Sequence, residues 1–567
     1  MQEANDILRT LTAEVLFPQN PYSSPNPQED LNALNIVIAH VEDILTSLVL
    51  KRSPFKVKIN DLNSSIIRQI PSEILSHIFT LSLIEFREVS LNRITDLNIV
   101  SPFLLGSVCR RWRDVVWSTP ELWSTMYLHL SERNLKDAKA MVEEWLKRSG
   151  NLPLYIRLSC DPLKSPGSPD PVVTSKEEAT ALISALHRFA GRWHSLDIRL
   201  PTSLFSSFEL ATTATDCPLA NLYIDPPDGQ SDSTHTLSIN PLPQLRKLHL
   251  CSVYLKSIIS SWDKLTHVFA MSFYVDECLE ILRRCPQLVC CKLPYIMAGD
   301  EPLYHIVHES PIVMPCIRYL QIGQDKTLPT SAILDKLVLP SLEIFKFDGC
   351  GCNDFNYMVV LGLFARSDCN LLSFTLKNVQ MPDERLESIL MSLPSLRQLF
   401  IYGSGGIGLT ASLLSKLTDS DTGITSFLPA LDTLGYTGPR HFAWTDLYSL
   451  LQLPSKSISS KLSSSEVSED APFLLPYKGR ERFQAVRLDL SLTEEDDIVD
   501  LDLMVPLVLC WLEQGRRFEL SVDSIDMVEN WIQGHSPVDK DRYNYLKRQT
   551  SKNTRGDIQE EDSEWAV

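Results

Sequence analysis

The chain has no Cys-x-x-Cys pair, no unbroken apolar run of bilayer length and no surplus of positive charge, and each lack removes a class of function. Its 13 cysteines are odd in number and scattered. The closest groups, Cys290-Cys291 and Cys350-Gly351-Cys352, have no partners at zinc-ligand spacing, so no metal site is expected. Free buried thiols fit a reducing compartment better than a disulfide framework. The apolar stretch Met504 to Leu512 is interrupted by Pro506 and is too short to cross a membrane, so no membrane partner is expected. No basic segment precedes an apolar one at Met1 to Asp6, so no secretory leader is read there. A cytoplasmic or nuclear location, or both, is expected. With 53 Lys and Arg against 71 Asp and Glu, the net charge is −18. Such a chain repels phosphate backbones, and no nucleic-acid partner is expected. The acidic group Glu494-Glu495-Asp496-Asp497 reads as a solvated loop.

Catalytic signatures are missing as well. The 12 histidines form no His-Glu-x-x-His pair, and neither a Gly-x-Ser-x-Gly elbow nor a phosphate-binding Gly-Lys-Ser/Thr loop occurs. Gly403-Ser404-Gly405-Gly406-Ile407-Gly408 does satisfy G-x-G-x-x-G, after a strand-like Leu399 to Tyr402 and before a helical Leu409 to Leu417. It lies in register with a repeat pattern, however, where a glycine-rich turn is an ordinary exit from a strand. No catalytic residue, no cofactor and no enzymatic activity are therefore expected. A non-catalytic binding protein is the reading that remains.

What is present is length, a repeat and a set of amphipathic helices. At 567 residues with 44% apolar content, the chain exceeds the size at which one core usually divides. From Trp193 onward the pattern apolar-x-x-apolar-x-apolar recurs, as in Leu219-x-x-Leu222-x-Ile224, Leu245-x-x-Leu248-x-Leu250 and Leu396-x-x-Leu399-x-Ile401. Ten such starts, from Trp193 to Leu431, are spaced 20 to 35 residues apart. Most of these spacings fall at or near the leucine-rich-repeat period, in which short parallel strands alternate with helices and bury their faces only against neighbours. Val486 to Leu490 offers a further strand after a Ser-rich insertion at 455–469. Alternation within each strand sends Leu248 and Leu250 inward and Lys247 and His249 outward.

Toward the N-terminus the period changes. Leu31, Leu34, Ile38, Val41, Leu45 and Leu48 recur at steps of 3 and 4, a coiled-coil seam. This helix packs in cis against the helices that follow it or pairs with another copy; the former is favoured. Pro71 then starts a helix whose apolar side carries Ile74, Leu75, Ile78, Phe79 and Leu81. Ser101 and Pro102 start a second, with Leu104, Leu105, Val108, Trp112, Val115 and Val116 on one side. Thr119 and Pro120 open a third, very short one that returns Trp123 to the same core. Helices this short need tertiary partners. Ser131 can cap a further helix through Trp145 and Leu146, ended by Gly150.

The set Ile70-Pro71-Ser72-Glu73-Ile74-Leu75, Val108-Cys109-Arg110-Arg111-Trp112 and Pro120-Glu121-Leu122-Trp123 resembles the F-box, in the form common in mushroom-forming fungi. The likeness covers about 55 residues, with a longer stretch between its first two helices, Ser82 to Val100, than the minimal pattern has. The resemblance implies a substrate-recognition subunit of an SCF-type ubiquitin ligase. Its partners would be a Skp-type adaptor, through it a cullin, and an unknown target protein. Adaptor binding would fall to Pro71, Ile74, Leu75, Ile78, Val108, Trp112 and Trp123. Target binding would fall to the outward strand face, with Lys247, His249, Arg318, Tyr319, Lys346, Arg397 and Gln398 as candidates. The alternative is a non-ligase leucine-rich-repeat scaffold.

The expected fold class is α+β or α/β solenoid: all-α F-box helices followed by an irregular leucine-rich-repeat-like solenoid. The expected organisation is a flexible segment 1–28, a short coiled-coil-like helix 29–52, an F-box domain 66–127 and a connecting helix 131–150. The repeat-like domain 151–535 and a polar tail 536–567 complete it.

Overall fold

A computed structural model describes residues 27–63, 70–88, 101–130, 135–160, 176–208, 217–229, 235–239, 242–260, 262–299, 311–329, 331–352, 355–403, 408–418, 427–451, 483–492, 501–522, 525–529, 543 and 546–547. Residues 1–26 of the N-terminal segment expected to be flexible, the Ser131 cap, the acidic group 494–497, the Ser-rich insertion, four residues of the glycine-rich turn (404–407) and nearly all of the C-terminal tail lie outside these residues. The chain divides into two units: residues up to Ile84 together with Phe103–Val116, and Glu85–Pro102 together with Trp117 onward.

The second unit is mixed α/β and is built on one large, mostly parallel sheet of 15 strands. These are Thr125–Leu130, Leu154–Cys160, Trp193–Arg199, Asn221–Ile224, Lys247–Cys251, His267–Tyr274, Cys290–Met297, Tyr319–Gln324, Ile344–Cys352, Ser373–Val379, Gln398–Tyr402, Thr433–Pro439, Ala485–Ser491, Arg517–Val522 and Ile525–Asp526. Each strand takes its place beside the one before it in the chain, and only the last pair is antiparallel. Parallel neighbours need a crossover connection. Helices supply many of these, among them Val275–Arg284, Tyr357–Ser367, Asp383–Met391 and Ala411–Thr418.

The core follows from register. Leu196, Leu222, Leu248, Val268, Cys291, Leu320, Phe345, Phe374, Leu399 and Leu434 pair strand to strand in one continuous row. All are at most 1% exposed. A parallel row two residues on, including Ile198, Leu250, Ile322, Leu376 and Ile401, is buried to the same degree. Each such side chain contributes roughly 1.5–3 kcal/mol by leaving water. Leu279, Ile281 and Leu282 of helix Val275–Arg284 are likewise fully buried.

The crossovers are fastened at their ends. Asn356 caps Tyr357–Ser367 by accepting from the Met358 N–H at 3.1 Å, and Asp368 ends it in the left-handed region. The Glu277 carboxylate accepts from the Leu255 and Tyr274 N–H groups at 2.7 and 3.2 Å. Burial raises its pKa to about 7 against the pull of those two bonds. The Arg192 guanidinium donates to the carbonyls of Leu152, Leu146 and Ser149 at 3.0–3.3 Å, which satisfies the orphan acceptors at the end of helix Leu135–Arg148.

That arrangement redraws the boundary read from sequence. Thr125–Leu130 pairs with Leu154–Cys160, so the sheet starts before residue 151, and helix Leu135–Arg148 is a crossover of the sheet and not a connector between domains. Pro120–Trp123 and the strand after it also fall in the sheet unit, whereas the sequence pattern groups them with the preceding helices. The cause is aromatic packing. Trp123 lies 5.4 Å from Trp117 and 5.1 Å from Trp145, whose indole N–H donates to the Trp123 carbonyl at 2.9 Å.

The first unit is helical. Helix Pro27–Asn63 is 37 residues long, well beyond the expected 29–52, and contains Pro54. Its seam residues Leu31, Ile38, Val41, Leu45 and Leu48 are 37–60% exposed, so the favoured packing in cis is not found among the described residues. Helix Ser72–Glu88 follows, then Pro102–Val108 and Arg110–Trp117. The single helix expected from Pro102 to Val116 thus breaks at Cys109. Cys109 Sγ accepts from the Trp112 N–H at 3.4 Å and caps the new helix, and Arg113 Nε donates to the Gly106 carbonyl left open by the break at 2.9 Å.

Candidate functional site

Two surfaces stand out, one in each unit. In the helical unit Leu75, Phe79 and Leu105 are buried, and the Trp112 ring lies 4.7 Å from that of Phe79. Arg111 closes the base of this small core by donating to the Ile70 carbonyl. The spacing that sends Leu75 and Phe79 inward turns Ile74, Ile78 and Leu81 out, at 45–52% exposure. Phe103, Leu104 and Val108 are outward on the second helix at 38–56%. Six large apolar side chains thus stand at least 38% exposed on two short helices.

Against the adaptor-binding set expected from the resemblance, Pro71, Ile74, Ile78 and Val108 are exposed, and Trp112 is half-buried. Leu75 and Trp123 are corrections: at 3% and 0% exposure they are core. Leu75 and Phe79 form the core-facing flank of the apolar stripe whose other flank carries Ile74 and Ile78, and Trp123 is locked in the tryptophan cluster of the sheet unit. Leu81, Phe103 and Leu104 are the outward residues the sequence reading omitted. Helix periodicity alone does not say which apolar side faces a core when both sides are apolar.

On the sheet, the residue between the two core positions of each strand points to the other face. These residues form a second continuous row: Tyr127, Arg157, Asp197, Tyr223, His249, Phe269, Lys292, Gln321, Lys346, Thr375, Phe400, Gly435, Arg487 and Glu519. Strands lie about 4.8 Å apart, so flat side chains in one row stack. His249 lies 4.0 Å from Phe269 with its ring nearly coplanar, and 5.5 Å from Tyr223. Arg157 pairs with Asp197, as does Arg199 at 3.2 Å, and Arg157 also covers the Tyr127 ring at 5.2 Å. Lys292 and Lys346 flank the Tyr319 ring at 5.1 and 5.4 Å. Gly435 leaves room for the Phe400 ring, because a Cβ there would come within 2.4 Å of it.

Stacking buries part of the expected target-binding set. His249 and Tyr319 are 9% and 6% exposed, and both are corrections. Lys247, Lys346 and Gln398 are half-buried in the same two rows. Arg318 and Arg397 remain exposed beside Glu343 and Asp432, at 3.6 and 3.5 Å. The residues missed there are Tyr223, Phe269, Lys292, Gln321, Thr375 and Phe400. Their signal was the middle position of each apolar-x-x-apolar-x-apolar unit.

Burial sets the protonation of the row. His249 is lowered to about 3 by burial, helped by Arg199 and Lys292. His267 is lowered to about 4 by burial, with Lys247 and Lys292 adding to it. Tyr223 is raised to about 12 by burial and Asp197. Burial also lifts the thiols of Cys251, Cys278 and Cys291 far above their ordinary value. At neutral pH the imidazoles of His249 and His267 on this face are therefore neutral. Its side chains are joined by ring stacking, hydrogen bonds and charge pairs.

Among the described residues no group of three or more His, Cys, Asp or Glu side chains is placed to hold a metal, and no helix is long and apolar enough to cross a membrane. The chain matches none of the known family models, and no curated protein matches its sequence.

Proposed function

We propose that this protein is the substrate receptor of an SCF-type ubiquitin ligase. In this reading the helical unit is an F-box that docks a Skp-type adaptor, and through it a cullin. The strand unit is an irregular leucine-rich-repeat-like solenoid that holds a target protein on its stacked outer row. Such a receptor has no chemistry of its own; it raises the local concentration of target lysines at the ligase.

The observation that carries the reading is the outward apolar set Ile74, Ile78, Leu81, Phe103, Leu104 and Val108, resting on a separate inner set. An acidic chain with net charge −18 gains nothing in solution from six exposed apolar side chains, but a docking face needs them. The placement of the recurrent sequence motif at one register position across successive strands supports the solenoid reading.

The test is capture of the full-length chain by an immobilised Skp-type adaptor. Wild type is retained, whereas Ile78→Glu and Val108→Glu are not, with circular dichroism unchanged because both side chains start in water. Retention of the folded variants would remove the assignment. Loss of cullin co-purification with target binding intact would favour the non-ligase scaffold.

A further inference from the structure

We propose that helix Pro27–Asn63 pairs, in antiparallel orientation, with the same helix of a second copy of this chain. The seam visible at 31–48 does not stop there. Arg52, Phe55, Ile59 and Leu62 keep the alternation of steps of 4 and 3 to the end of the helix, so the heptad persists for more than four repeats with one charged interruption. From Leu31 to Ile59 the described apolar seam residues are 37–68% exposed.

The period points to another helix as the occupant, although Ile36, Val49 and Leu50, off the seam, are exposed as well. A helix lying on a sheet, a domain core or a lipid surface uses a broader stripe at 3.6 residues per turn. A repeat of 3.5 maintained over four heptads suits one other helix, wound around it. Pro54 falls on the side away from the seam. Its missing hydrogen bond can bend the helix, but its ring does not enter the contact.

Charge sets the direction. Residues 27–45 carry Glu29, Asp30, Glu42 and Asp43 and no Lys or Arg. Residues 46–63 carry Lys51, Arg52, Lys56 and Lys58 against Asp61 alone. A parallel pair would set basic half on basic half and place Arg52 opposite its own copy in the seam. An antiparallel pair opposes acidic and basic halves and faces Arg52 with an apolar residue. An anionic lipid surface would attract the second half and repel the first.

Sedimentation equilibrium of the full-length protein at micromolar concentration tests the pairing. A dimer is expected for wild type, and a monomer for Leu45→Asp/Leu48→Asp with the thermal transition of the sheet unit unchanged. Because those residues are exposed, Glu42→Lys/Asp43→Lys serves as a second variant free of any packing role; it should weaken the dimer several-fold. A photo-crosslinking phenylalanine derivative replacing Leu31 should link to peptides around Leu62 of the other copy. Monomeric wild type, or a dimer that survives the Leu45/Leu48 double variant, overturns the pairing. Links from position 31 to its own counterpart overturn the direction. Ile78→Glu, which tests the adaptor reading, should leave the dimer intact, so the two proposals fail separately.

Discussion

In the sheet unit Leu248 and Leu250 are 1% and 0% exposed, while in the helical unit Ile74 and Ile78, just as apolar, stand 52% and 45% in water. The difference is one of neighbours. Each residue of the inner row from Leu196 to Leu434 has a strand on either side, so that row closes without a partner molecule. The helical unit has two apolar sides on each of its short helices and can close only one upon the other. It folds on Leu75, Phe79 and Leu105, and Ile74, Ile78 and Leu81 stay at the surface. One unit thus buries its apolar rows, whereas the other leaves part of its apolar residues in water.

Four measurements sharpen or break that contrast, the largest effect first. In the sheet unit, Phe345→Ala removes a ring stacked 5.9 Å from Phe374 and 6.0 Å from Phe364, and should cost about 3–5 kcal/mol in urea unfolding. A loss under about 1 kcal/mol would mean that the inner row is not the core. In the helical unit, Leu75→Ala should cost about 2–3 kcal/mol, while Ile74→Ala, its neighbour in sequence, should stay within about 0.5 kcal/mol. Amide exchange of helix Ser72–Glu88 reads both, and equal effects would erase the distinction between inner and outer sides.

The third concerns pH. His249 and His267 bind protons more weakly folded than unfolded, with values near 3 and 4 against an ordinary 6.5. Between those values and 6.5 the unfolded chain holds more protons, so stability falls on acidification, by at most about 1.4 kcal/mol per pH unit for each group. Glu277, raised to about 7, works in the opposite sense over the same range and offsets part of this fall, so the check is comparative: in thermal unfolding from pH 7 to pH 5, His249→Gln should lose less stability than wild type. An unchanged slope in that variant would show that His249 is solvated. The smallest effect belongs to the exposed Arg318–Glu343 pair: Arg318→Ala should change stability by no more than about 0.5 kcal/mol. A target whose binding falls in Arg318→Ala while stability does not would place that residue in the recognition face.

The strands were the most legible part of the fold. Leu-x-x-Leu-x-Leu units encode their own inner positions, since alternation has a period of two and burial on one face leaves no other register. The outer row was half legible. Lys346 and Gln398 could be named from alternation, but the burial of His249 and Tyr319 could not, because it depends on which ring the neighbouring strand supplies at the same level. The break at Cys109 was hidden for a similar reason: Arg113 must fold back on the Gly106 carbonyl before the chain can stop and restart.

Local chemistry by itself determined the helical stretch opened by Pro71, the heptad seam and the strand motif, because each depends on residues a few positions apart. Only tertiary structure decided that Leu75 is core while Ile78 is surface, that Trp123 belongs with Trp117 and Trp145, and that strand Thr125–Leu130 begins the sheet. Those outcomes depend on which of several apolar surfaces meet first and bury most, a competition among residues far apart in the chain that short-range pattern does not record.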